Sequence, residues 1–187
     1  MKNFSQKIQK IECLIEIIKR TNLDNVFNPY TSNCNQHDHS SSHIIRENNL
    51  RIYLTKQLQL DPKIIWLGRD LGYRGGRRTG IPLTDEVHLK ELNSVLNGTK
   101  IKKATETAEM KEMTARAIWK LTKSFRNPPF FWNVFPFHPH DKRDSMSNRS
   151  HSKTELKATK EILEAILDIY DFEHHFALGR DAAKILD

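Results

Sequence analysis

Three short apolar runs, Lys63-Ile64-Ile65-Trp66-Leu67-Gly68, Phe130-Phe131-Trp132-Asn133-Val134-Phe135 and Phe176-Ala177-Leu178-Gly179, constrain this chain more than any other feature. Runs of this length without polar alternation are the pattern of strands buried on both faces of a parallel sheet. Between them, apolar positions recur with a helical period over residues 108–123 and 154–170. Strand, helix, strand, helix, strand is the α/β order that gives a parallel sheet with right-handed crossovers. Ligands of such sheets bind beyond the carboxyl ends of the strands. The segments after Gly68, Asn133 and Gly179 are therefore expected to hold the functional site.

The core is preceded by helical sequence. Ile8, Ile11, Leu14, Ile15 and Ile18 predict an amphipathic helix over residues 4–20, and Ile45, Leu50, Ile52, Leu54 and Leu58 predict a second over 44–60. Asp61-Pro62 is a turn that separates this part from the first strand. The whole chain, 187 residues, fits one domain, with residues 1–60 as its helical part and 61–187 as its α/β core. No run approaches the ~18–20 apolar residues of a spanning helix, and Met1–Lys10 lacks the apolar core of a signal peptide, so no membrane and a cytoplasmic location are expected.

Lys and Arg total 30 against 23 Asp and Glu, a net charge of +7 that suits a polyanionic partner such as DNA or RNA. Cys13 and Cys34 are too few for a disulfide framework, a four-cysteine zinc site or an iron–sulfur cluster, so both are expected as reduced thiols. The stretch 28–42 is rich in Asn, Ser and His. Cys34, His37 and His39, with His43 just beyond, are possible zinc ligands, yet they match no paired Cys/His signature. The expected reading is a solvated loop, with no metal and no cofactor.

Gly68 to Gly80 sets five glycines among four arginines, Arg69, Arg74, Arg77 and Arg78. Glycine lets backbone approach a ligand closely and guanidinium groups reach phosphates, so the segment looks suited to an anion. It lacks the Gly-Lys-Ser/Thr of a P-loop and the spacing of a dinucleotide fingerprint, which counts against nucleotide hydrolysis and NAD binding. The plain alternative is a glycine-rich connector. Asn133 is an unusual polar residue at a strand end. Its carboxamide could read the amide edge of a pyrimidine, or it could satisfy loop backbone while Phe130, Phe131, Trp132, Phe135 and Phe137 fill the core.

Taken together, Gly68-Arg69-Asp70, Gly72-Tyr73-Arg74-Gly75, Thr79-Gly80-Ile81-Pro82, Trp132-Asn133-Val134-Phe135-Pro136-Phe137-His138-Pro139 and Asn148-Arg149 resemble the uracil-DNA glycosylase superfamily. The nearest branch is that of bacterial and phage-related uracil-DNA glycosylase-like proteins. The resemblance implies a three-layer α/β/α sandwich and a DNA glycosylase that flips out uracil or a modified pyrimidine and removes it by hydrolysis, in base excision or in defence against modified phage DNA. It implies Asp70 as the catalytic carboxylate. Asn133, Tyr73, Gly68 and Phe135 would bind the base, Arg74, Arg77, Arg78 and Arg149 the DNA phosphates, and His138 would support the site.

Two departures stand out. Asp70 lies where the nearest branch commonly has Glu-Ala, so this motif resembles the Asp-bearing branch. The superfamily's last strand and His-Pro-Ser-like motif have no counterpart before Asp187. That implies a missing C-terminal element, a separate chain that supplies it, or a degenerate relative. Two alternatives therefore accompany the enzyme reading: a catalytically inactive nucleic-acid-binding relative or part of a split glycosylase, and a small metal-binding or RNA-associated α/β protein.

Overall fold

A computed structural model describes residues 4–125 and 127–186. In chain order the elements are α1 (Phe4–Arg20), β1 (Val26–Phe27), α2 (Ser42–Leu60), β2 (Ile64–Asp70), α3 (Gly76–Thr79), a 3-10 turn (Glu86–His88), α4 (Leu89–Val95) and α5 (Met113–Thr122). They continue with β3 (Phe130–Phe135), β4 (His138–Pro139), α6 (Lys153–Ala158), α7 (Lys160–Ile169), β5 (His174–Ala177) and α8 (Arg180–Leu186).

The apolar runs pair as a parallel sheet of order β3-β2-β5. Register places Gly68 beside Asn133 and Asp70 beside Phe135, so the polar ends of β2 and β3 emerge together. Side chains alternate across a strand, and β3 shows why both of its faces are apolar. Phe130 packs against Tyr53 of α2 and Tyr170 beyond α7, with ring centroids 5.4 and 4.6 Å apart. Its neighbour Phe131 turns the other way, onto Trp119 of α5 and Trp66 of β2. Helices thus cover both faces and the sandwich has three layers. Tyr53 anchors α2 to the sheet, since its hydroxyl donates to Phe131 O at 3.0 Å and accepts from Phe131 N at 2.7 Å. Among the described residues β5 forms an edge of the sheet, and its Phe176 is half-exposed.

Several local expectations change. The helix expected over 154–170 breaks at the buried Thr159, whose hydroxyl lies 3.3 and 3.2 Å from the carbonyls of Glu155 and Leu156 and so competes with the helical ladder. The helix expected from 108 starts only at Met113, because Glu112 is extended. The ribbon of β1 with β4, Val26 opposite Pro139 and Phe27 opposite His138, had no sequence signal. The stretch 28–42 is not a solvated loop. Asn28, Tyr30, Cys34 and His37 are buried there, and Arg46 of α2 grips Asp38 through two hydrogen bonds of 2.9 Å. Burial holds His37 low, at about 4, and Cys34 Sγ faces Met146 Sδ at 4.0 Å. Among the described residues, no group of His, Cys, Asp and Glu could hold a metal, and no helix is long and apolar enough to cross a membrane.

Candidate functional site

The segments after β2, β3 and β5 converge on one cavity of about 340 Å³, lined by Gly68 to Gly72, Asn133, Leu178 to Asp181 and, from elsewhere, Leu83, Glu112, Thr114 and Asn148. That volume falls within the ~300–1,000 Å³ usual for small-ligand sites. Its place, at the carboxyl ends of parallel strands, follows from the topology.

Asn133 is the polar residue of β3 and is almost fully buried. Its Nδ2 donates to Asp70 O at 3.1 Å, while no donor among the described residues reaches Oδ1. Buried amides are normally satisfied, so this acceptor at the cavity wall is left open to a donor from a ligand. Gly68 makes this placement possible. A Cβ there would lie 2.6 Å from Asn133 Nδ2 and 2.8 Å from Leu83 Cδ2.

Asp70, on the adjacent strand, lines the same cavity. Arg69 Nε donates to Asp70 Oδ2 at 2.7 Å, and Arg69 also reaches Asp181 of α8 at 3.4 Å. His151 Nδ1 lies 3.6 Å from Asp70 Oδ2, too long for a hydrogen bond, and its ring stacks on Phe135 at 5.2 Å.

The remaining candidates separate. Phe135 is fully buried between His151 and Phe137 and is not among the residues that line the cavity. Tyr73 does not line the cavity. Its backbone N–H donates to Asn148 Oδ1 at 3.1 Å, and Asn148 does line it. His138 is buried behind Asn148, within 3.2 Å of its Oδ1, and burial together with the Arg77 charge pushes its pKa down to about 3.

Arg77 and Arg78 cannot take the phosphate role expected of them, since each is only 2% exposed and bonded inside the fold. Arg77 meets His138 and the Ser145 carbonyl and lies 4.0 Å over the Phe27 ring. Arg78 pairs with Glu86 at 2.8 Å and with Thr105 and Thr107. Arg149 is committed to Glu155, at 2.6 and 2.9 Å. Of the four, only Arg74 is exposed. The glycines of this segment also serve the protein's own side chains: Gly80 abuts Arg46, Gly76 abuts Leu71, and Gly72 and Gly75 both face Glu112.

A solved structure shares this architecture. The chain has the fold of a SMUG2. The wild-type SMUG2 of Pedobacter heparinus, of the uracil-DNA glycosylase superfamily, superposes with a TM-score of 0.58 at 20% identity, over all of this chain and 80% of that one. No family model and no curated relative matches the sequence. At this identity the likeness is one of fold.

Sequence reasoning missed Glu112 and His151. Neither follows a strand or belongs to a patterned motif; both are brought in by tertiary packing. The Glu112 carboxyl is pushed up to about 7 by burial and then by the Asp85 and Asp70 charges.

Proposed function

We propose that the cavity receives a pyrimidine flipped out of DNA and that the protein is a DNA glycosylase. The observation that carries this reading is the pair formed by the buried, half-satisfied Asn133 and the Asp70 carboxylate at the ends of adjacent strands. Asn133 Oδ1 would accept the ring N–H, and a further Nδ2 hydrogen could serve a carbonyl. Hydrolysis of the N-glycosidic bond passes through an oxocarbenium-like state at C1′. Asp70 would stabilise that positive charge and orient the attacking water, the bonding pair leaving with the base, which then takes up a proton. His151, beside Asp70 and held flat on Phe135, would position the carboxylate. Arg180, exposed in the cavity lining, and Arg74, exposed in the glycine-rich segment after β2, would meet the phosphates.

A second reading has its own support. Arg69 already occupies Asp70 Oδ2, and a persistent ion pair there would leave a protein that binds an extruded base without cutting. The test is an excision assay with end-labelled single- and double-stranded oligonucleotides carrying uracil, mismatched thymine, hypoxanthine, hydroxymethylcytosine or its glucosylated form, followed by alkali. Cleavage of one substrate that is lost in Asp70→Asn supports the enzyme. Salt-sensitive binding without any cleavage supports the binding-only relative.

A further inference from the structure

Glu112 occupies the position just before α5, where a side chain commonly caps the helix, yet its carboxyl makes no capping bond. Its backbone N–H donates to Asp85 Oδ2 at 2.7 Å, and the side chain runs into the cavity wall instead. Two glycines make the room. A Cβ on either Gly72 or Gly75 would collide with the carboxyl oxygens. Among the described residues no donor is hydrogen-bonded to those oxygens. The side chain is thus half-buried, part of the cavity lining and without a hydrogen-bond partner for its carboxyl among the described residues.

Resting on the reading of this cavity as a base pocket, we propose that Glu112 is a second recognition group in the cavity that Asn133 lines, acting as a neutral carboxylic acid whose O–H donates to a carbonyl oxygen of the bound pyrimidine. A carboxylate would do the opposite, since it can only accept and would face the carbonyl with like polarity. The surroundings favour the neutral form. Asp85 lies beneath the Glu112 backbone, itself bonded to His88 at 2.6 Å, and Asp70 projects from β2 with His151 at 3.6 Å. Among the described residues no cation is bonded to the Glu112 carboxyl: Arg69, in the same lining, is committed to Asp70 and Asp181, and Arg180 of α8 is exposed. Burial and the two neighbouring carboxylates bring its titration to about 7, so the donor is present just below neutrality and lost just above it.

The test uses the full chain with two readouts, uracil excision from a single-stranded oligonucleotide and calorimetric binding of free uracil, each from pH 6 to pH 8. The wild type should lose about tenfold in both across that range, following the protonated fraction. Glu112→Gln keeps an N–H donor at every pH and should flatten both profiles. Glu112→Leu should weaken uracil binding at pH 6 by about tenfold. The infrared band of a protonated carboxylic acid, read on the wild type, should decline from pH 6 to pH 8 and needs no variant to fold. Excision lost in Asp70→Asn but with the same pH profile in Glu112→Gln as in the wild type overturns this role alone. Neither excision nor uracil binding at any pH overturns it together with the base-pocket reading.

Discussion

At the register pair Gly68 and Asn133, one hydrogen atom stands where any other residue carries a Cβ, and the carboxamide turns toward the cavity through that space. Gly68→Ala must displace the carboxamide and break its bond to Asp70 O. Base excision should fall at least ~10-fold, since a buried polar reader is moved off its partner, while thermal melting shows the fold retained. Undiminished excision would detach Asn133 from the base. Asp70→Asn removes the charge and keeps the shape, so excision should drop by ~10²–10³ with affinity for uncut DNA little changed. Single-turnover rates beside anisotropy titrations separate the two effects. That Asp70 and Asn133 would line a cavity was legible because strand ends are where α/β sheets place ligands. Arg77 and Arg78 were misread because a guanidinium in a glycine-rich segment gives no sign of which way it turns, and here both turn inward.

Elements were legible wherever periodicity met apolar burial. The helix expected over 4–20 and the strand expected over 130–135 have those bounds, each fixed by a row of buried side chains. What periodicity could not supply was the interruption by a hydroxyl at Thr159, or the two-residue ribbon of β1 and β4, whose reason is tertiary. The start of α6 carries a sharper local device. Ser152 and Glu155 form a capping box, and Arg149 closes it by bonding both Glu155 oxygens. The Arg149 hydrogen bonds, helped by the Ser152 backbone N–H and opposed by burial, hold the Glu155 carboxyl down at about 2. A carboxyl lowered in the folded state stabilises above its unfolded range near ~4.3, and that contribution disappears as pH falls toward its folded value. Glu155→Gln should therefore cost about 1 kcal/mol near pH 7, or ~2–4 °C of melting temperature. The gap between wild type and variant should close as melts are repeated from pH 6 down to pH 3. A gap that stays constant with pH would mean the box acts through shape and not charge.

Across the whole molecule, the charge of +7 says less than its placement. Some of the arginines that make the sequence look suited to nucleic acid are spent inside: Arg46 on Asp38, Arg78 on Glu86, Arg77 over Phe27. Each ties segments together inside the fold, so their loss should be felt as instability. Arg78→Ala leaves Glu86 buried without its counter-charge, and breaking such a pair costs ~3–5 kcal/mol. Its melting temperature should drop by several degrees or more, with DNA affinity per folded molecule unchanged. Arg74→Ala and Arg180→Ala should behave in the opposite way. Both side chains are exposed, so melting should not move. Each lost phosphate contact should instead lower the slope of log affinity against log salt by ~0.7 on single strands or ~0.9 on duplex, whatever the sequence. Anisotropy titrations over a range of salt, on protein shown to be folded, separate the two sets. Should folded Arg78→Ala lose salt slope while Arg74→Ala and Arg180→Ala keep it, the nucleic acid would have to reach the interior side of the glycine-rich segment, and the cavity mouth at α8 would not be its path.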